Sequence, residues 1–367
     1  MVGRRSSGAR FPSNTPAHLE VRPTFFPAVT NALRSFFHSP FPFAERFQSA
    51  AYGRLLTNGG CSIHGIQKSV ILVLTNGPRR GYFKEMAQRL TLGHSPDPDD
   101  AFMFYGLAKK LIPTRGFEFQ HILQDIQTLN ERATRGELDI SAISIHAYAY
   151  VSGQYALLPN GASMGDGYGP LVVARRALTQ SELAVKKIAV PGTMTSAFLA
   201  LQLWLERPAA SLNYVVVPFD RIFQAVRDGL AEAGLIIHEG QLTYQSEGLA
   251  LCRDLGAWWK EEQDGLPLPL GGNVAHKRLA PGARRVIAEI LHDSIQFSLD
   301  HRADAVAHAL PWARDMGRER ADQFVGMYVN HWTLDYGEKG REAIRRFLRL
   351  ARERGLVPRL PELEFVV

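Results

Sequence analysis

From Leu90 onward the chain repeats one pattern, in which a short apolar run is followed by an amphipathic stretch and then by another apolar run. "RLTLGHS" leads into "DDAFMFYGLAKKL", "FEFQHIL" into "DIQTLNERATRG", and "LDISAIS" into "IHAYAYVS". Strand followed by helix, repeated, calls for a largely parallel sheet, because parallel neighbours can be joined only by a crossover. After the glycine-rich passage "YALLPNGASMGDGYGPLVVARR" the pattern restarts. "KKIAVPGTMTSAFLALQLWL" reads as strand, tight turn and helix, and "NYVVVPF" as a strand. "DRIFQAVRDGLAEAG" reads as a helix closed by Gly234, and "LIIHE" as the next strand.

The second set is bracketed by two candidate crossing strands, "GPLVVARR" and "LPLPLGGNVAHKR", and the helical remainder is expected to pack back on the first set. The predicted fold class is therefore α/β, two-lobed and periplasmic-binding-protein-like (type 2). Lobe 1 is expected over 86–175 plus 268–367 and lobe 2 over 176–267. The cleft between such lobes is the default ligand site.

Charge separates the amino-terminal segment from this body. Residues 1–85 hold eleven Lys or Arg and three Glu, which leaves 31 basic and 33 acidic residues for the rest. Neutralising phosphates needs clustered Lys and Arg, so the slightly acidic body argues against a nucleic-acid partner. The segment itself is rich in Arg, Ser and Pro without helix or strand period. It is read as a basic extension, either a disordered tail or sequence upstream of a true start at Met86; its Arg-rich, acid-poor composition also suits a transit peptide, while "SVILVLTNG" lies too deep to act as a secretory signal. No stretch approaches the roughly 20 apolar residues of a membrane helix. Two cysteines, Cys61 and Cys252, give no disulfide framework within the body and fit a reducing compartment. None of the twelve histidines is paired at three- or four-residue spacing, which gives a metal site little support.

Three turns and one strand end could carry chemistry. In "HSPDPDD", Asp97, Asp99 and Asp100 can cap a helix start, and Ser95 or Asp99 could instead meet a ligand. In "AISIH", Ser144 stands just after a strand, either as a plain cap or as an anion contact, while His146 is expected to be a surface or packing residue. In "VPGTMTSAF", Gly192 permits the turn, and Thr195 and Ser196 open a helix whose first N–H groups favour a carboxylate or phosphate. Two such turns facing one another suggest an acidic small molecule held between the lobes. His238 ends the "LIIHE" strand, and an imidazole titrates near neutrality without drastic tuning, so it is a candidate general base as well as a candidate structural histidine. If the strand continues, Glu239 faces the other way.

"SPDPDDAFMFYGL", "DIQTLNERA", "GYGPLVVAR", "AVPGTMTSAF", "AGLIIHEGQLTY", "DLGAWWKEEQDGLPLPLGG" and "YVNHWTLDYGEKG", in this order, resemble the 1,4-dihydroxy-6-naphthoate synthase family of the futalosine route to menaquinone. The likeness runs from about Arg89 to the carboxyl end. It implies a cytoplasmic lyase that converts cyclic dehypoxanthinylfutalosine to 1,4-dihydroxy-6-naphthoate and dihydroxyacetone, with neither metal nor organic cofactor. It places the proton-abstracting histidine on His238 and substrate contacts on Ala142, Ile143, Ser144, Thr195 and Ser196. A small-molecule carboxylate is the expected partner, with no nucleic acid and no membrane, and the oligomeric state is left open. One common form of the family's first turn is Ser-Pro-Cys-Pro-Asn-Asp, in which Asp97 and Asp99 here replace Cys and Asn. The alternatives are a sibling chorismate dehydratase, which "GLIIHE" and "GAWW" point away from, and a non-catalytic solute-binding protein.

Overall fold

The computed structural model describes residues 87–313 and 316–367. The extension expected over 1–85 lies outside the described residues. The first lobe begins with β1 (Gln88–His94), α1 (Pro98–Met103), α2 (Tyr105–Ala108), β2 (Phe117–Leu123) and α3 (Ile126–Thr134). It continues through β3 (Ile140–Ser144), α4 (Ile145–Val151), β4 (Tyr155–Leu157) and β5 (Ser163–Gly165). The second holds β6 (Leu171–Ala174), α5 (Gln180–Leu183), β7 (Ile188–Val190), α6 (Ser196–Leu205), β8 (Tyr214–Val216), α7 (Ile222–Arg227), β9 (Ala233–Ile236) and β10 (Ala250–Asp254). After α8 (Leu255–Glu262), strand β11 (Leu268–His276) returns to the first sheet. Helices α9 (Pro281–Asp300), α10 (Arg302–Ala309), α11 (Arg318–Tyr328), α12 (His331–Leu334) and α13 (Gly337–Glu353) complete the chain.

The first sheet runs β2-β1-β3-β11-β4, with β5 also paired to β11, and the second runs β10-β6-β9-β7-β8. Strand β1 is parallel to β2 and β3, while β11 runs antiparallel to β3, β4 and β5. In the second sheet β7 is parallel to β8 and β9, and β6 is antiparallel to β9 and β10. Leu171–Ala174 thus pairs in the second sheet, so the change of lobe comes before the boundary expected at 175. Strands β3 and β9 are buried at every residue, Ser141 and Ser144 included, as strands in a sheet covered on both faces are.

Two elements depart from the sequence reading. The single helix expected over "DDAFMFYGLAKKL" is broken at Phe104. Ser294 of α9 causes the break, for its hydroxyl accepts from the Leu107 N–H at 3.4 Å and donates to the Met103 carbonyl at 2.9 Å, standing where the helical i to i−4 bond would be. Gly234 does not close the seventh helix. That helix ends at Arg227, Gly229 takes the left-handed φ of 76° that suits glycine after a helix, and Gly234 is already within β9.

The lobes share one core. Ile145 and Tyr148 of α4, Phe198 and Leu201 of α6, Trp259 of α8 and Phe347 of α13 are buried in a single apolar cluster. Burying large apolar side chains at about 1.5–3 kcal/mol each makes this junction a principal stabilising contact. Among the described residues no helix is long and apolar enough to cross a membrane.

Candidate active site

A cavity of about 120 Å³ is lined from both lobes. Ala142, Ile143 and Ser144 bring the end of β3 to it, and Thr195, Ser196 and Ala197 bring the start of α6. Ser95, Asp97, Asp99 and Asp100 add the first turn, and Phe324 and Tyr328 add an aromatic wall from α11. The five substrate contacts implied by the sequence resemblance therefore meet at one cavity. His238 does not line it, although Ile237 and Gln241, on either side of the His238 turn, do.

The hydroxyls on these turns are already engaged. Thr195 caps α6, its Oγ1 accepting from the Phe198 N–H at 3.2 Å and donating to the Gly192 carbonyl at 2.9 Å. Ser196 Oγ donates to the Leu270 carbonyl at 2.5 Å and accepts from the His146 N–H at 3.1 Å. Ser144 makes no side-chain cap, and its Oγ accepts from Asn130 Nδ2 at 3.0 Å while its N–H donates to Asn130 Oδ1 at 2.8 Å. The N–H groups of Ser196 and Ala197 lie in the first turn of a ten-residue helix, where no intrahelical acceptor exists. They and the positive end of the helix dipole favour a negative charge at this edge of the cavity.

Several of these bonds join the lobes. Asn130 Nδ2 also approaches the Met194 carbonyl at 3.4 Å, and Gln127 Oε1 accepts from the Met194 N–H at 3.0 Å. His146 is 3% exposed at this junction, its Nδ1 3.3 Å from the Thr195 carbonyl, and burial pushes its pKa down to about 4. His94 pairs with His121 through Nε2 and Nδ1 at 2.9 Å, and burial beside that second imidazole lowers it to about 3. Asn130 and Gln127 are polar residues on an amphipathic helix, and nothing in their spacing sets them apart from solvated ones. Tyr328 and Gln241, joined by a 2.7 Å bond from the Tyr328 hydroxyl, escaped the sequence reading for the same reason.

The acidic turn forms the other edge. Asp97 precedes α1 without a side-chain cap bond, so the expected capping is not what this residue does, and Asp100 instead reaches back to accept the Ser95 N–H at 2.6 Å. Burial raises the pKa of Asp100, against the pull of that N–H, and it raises Asp99 too, reinforced by the charges of Asp100 and Asp97. A carboxyl with a raised pKa contributes stability that is present at low pH and lost as pH rises through its folded-state value. Asp100→Asn, whose amide oxygen can still accept from Ser95, should therefore raise the thermal midpoint more at pH 8 than at pH 4. A difference between variant and wild type that stayed constant across that range would sink this assignment.

His238 follows the end of β9 at Ile236 and stands at the head of a 3-10 turn, Glu239–Leu242. Its Nδ1 accepts from the Gly240 N–H at 3.0 Å, and the rings of Phe219 and Phe223 lie 5.7 and 5.9 Å away. A Cβ at Gly240 would stand 2.6 Å from His238 Cε1 and 2.8 Å from Phe223 Cζ, so only glycine leaves the imidazole in place. Since the strand has ended, Glu239 does not face away as a continuing strand would require. Its Oε2 is 3.7 Å from His238 Nδ1, and both side chains are at least nine-tenths buried. Among the described residues no three His, Cys, Asp or Glu side chains are grouped to hold a metal ion.

Two α/β lobes, two crossings and a cleft with a helix amino terminus at its edge define a fold of the type-2 periplasmic-binding-protein kind. An alkanesulfonate-binding protein from Xanthomonas axonopodis, 13% identical, superposes with a TM-score of 0.56 over 74% of this chain and 96% of its own, which is likeness of fold alone. A crystal structure of a protein from Archaeoglobus fulgidus is 41% identical, with a TM-score of 0.70 over 73% of this chain and 98% of its own. Residues 90–353 match the menaquinone biosynthesis family, and the chain belongs to it. The chain is 39% identical to a 1,4-dihydroxy-6-naphthoate synthase of Thermus thermophilus, over 76% of this chain and all of the relative. A protein of the same name from Streptomyces coelicolor is 38% identical over 75% of this chain and 96% of its own.

Proposed function

We propose that this enzyme of menaquinone biosynthesis is a 1,4-dihydroxy-6-naphthoate synthase, a carbon–carbon lyase acting on cyclic dehypoxanthinylfutalosine and releasing dihydroxyacetone. The observation that carries the reading is the meeting, at one interlobe cavity, of a helix start that favours an anion and an aromatic wall, with the His238 turn reaching that cavity through Ile237 and Gln241. The Ser196 and Ala197 N–H groups hold the substrate carboxylate, with Ala142, Ile143 and Ser144 beside it. Phe324 and Tyr328 give the planar ring system a flat apolar face. His238 is the general base. It takes a proton from carbon, the electron pair left behind drives cleavage of the carbon–carbon bond, and the ring system becomes aromatic as dihydroxyacetone leaves.

The cavity is smaller than the roughly 300–1,000 Å³ of a typical ligand pocket. Binding the bicyclic substrate therefore requires the lobes to part at the 127–146 and 194–196 contacts and to close again, excluding water. His238 stands one residue behind the cavity wall at Ile237, so its turn must also rearrange to bring the imidazole to the substrate. A cytoplasmic location and a small-molecule carboxylate as partner belong to the same reading. Incubation of the purified protein with cyclic dehypoxanthinylfutalosine and chromatography of the products tests it, with naphthoate and dihydroxyacetone expected in equal amounts. Turnover of chorismate with none of the futalosine derivative would replace it by a dehydratase, and binding without turnover by a solute-binding protein.

A further inference from the structure

We propose that Glu239 is the positioning residue for His238: its carboxylate receives the Nδ1–H of the imidazole and holds the ring in the form whose Nε2 takes the substrate proton. The inference rests on the reading of His238 as base. It begins from a conflict at Nδ1. In the structure Nδ1 accepts from the Gly240 N–H at 3.0 Å, and a neutral imidazole that accepts there carries its proton on Nε2. That tautomer has no lone pair left with which to act on the substrate.

The base-competent tautomer carries hydrogen on Nδ1, which turns the contact with the Gly240 N–H from a bond into a clash of two donors. Nδ1–H needs an acceptor, and Glu239 Oε2 is 3.7 Å away. A small rotation of the imidazole about its Cβ–Cγ bond, away from Gly240, exchanges one partner for the other. In the step itself the substrate C–H bond breaks and an Nε2–H bond forms. The carbon keeps the electron pair, and Nδ1 keeps its proton, now shared with the carboxylate. Glu239 therefore gains no proton. It stabilises the imidazolium that the reaction creates, the more strongly because both side chains are out of water.

Other side chains pack around the imidazole. Phe219 and Phe223 meet it with apolar rings. On their elements Asp220 and Arg221 are 45% and 71% exposed and face one another at 3.9 Å, while Arg227 is paired with Glu247. From α11, Tyr328 spends its hydroxyl on Gln241. On its own turn, Glu239 is the charged residue.

The test compares Glu239→Gln, Glu239→Asp and His238→Asn in the full chain, by the pH profile of kcat/KM for naphthoate formation and by NMR titration of the His238 imidazole in ligand-free protein. Loss of a carboxylate at this range should lower the histidine's titration point by about one pH unit or more. Glu239→Gln is therefore expected to shift both the titration and the acid limb of the profile to lower pH and to reduce kcat about tenfold, the factor equivalent to one pH unit. Glu239→Asp, which keeps the charge, should retain most of the wild-type titration. A Glu239→Gln profile and titration superimposable on wild type, with His238→Asn inactive, would overturn the inference and leave the base in place. Wild-type turnover by His238→Asn would overturn the base and this inference together.

Discussion

His238→Asn should lose turnover by on the order of 10²- to 10⁴-fold, the range a positioned base contributes, while keeping wild-type stability. The reason lies in the two jobs the imidazole does here. Nδ1 caps the 3-10 turn by accepting the Gly240 N–H, and an asparagine Oδ1 occupies nearly the same place and is a favoured cap. Asparagine has no group that titrates near neutrality, so the cap survives and the base does not. His238→Ala removes both, and the buried Gly240 N–H, left without an acceptor, should cost about 1–3 kcal/mol. Thermal melts and product chromatography on the pair separate the roles. If His238→Asn is as active as wild type, the histidine is structural and the catalytic base must be sought among the residues that line the cavity.

The largest expected loss of stability is at a glycine in the crossing between lobes. A Cβ on Gly256 would stand 1.8 Å from the Tyr168 carbonyl oxygen and 2.7 Å from the Gly169 nitrogen. Both are backbone atoms, fixed in part because the Leu255 N–H donates to the Pro170 carbonyl at 3.0 Å. The strain cannot be relieved by turning a side chain, so α8 or the crossing segment must move. Gly256→Ala is expected to destabilise by about 3 kcal/mol, at the upper end for overpacking. For a body of this size that is roughly 6–12 °C in Tm. Gly282→Ala, where an added Cβ meets nothing within 4 Å, is the control and should melt close to wild type. Equal melting of the two would show that the crossing yields without resistance.

Much of the fold was legible because it is written locally. The strands at Ile140–Ser144 and Ala233–Ile236 are buried at every residue, and the turn before α6 is capped by Thr195 as its sequence indicates. The meeting of the Ser144 and Thr195 turns at one cavity followed too, since strand ends and helix starts in such a sheet point to one cleft. The interruption of the first helix was not legible, because the hydroxyl that causes it lies on Ser294, 187 residues from Leu107. Glycine misled the reading of the seventh helix, where Gly229 and Gly234 are equally plausible stops and only the start of β9 decides between them.

The candidate site divides in the same way. By itself the sequence determined a two-lobed α/β body, a histidine at a strand end and two helix-opening turns, because periodicity, caps and turns act within a few residues. Tertiary structure decided that Asn130, Gln127 and His146 tie those turns across the lobes, that Tyr328 and Phe324 wall the cavity, and that Glu239 folds back towards His238. Each of those depends on how far one element travels before it meets another. A strand continued through Glu239 would have turned it to the opposite face from His238, and the partners beside which β9 ends at Ile236 come from distant parts of the chain, Leu171 lying 65 residues before Ile236 and Ile188 lying 45 before Ala233.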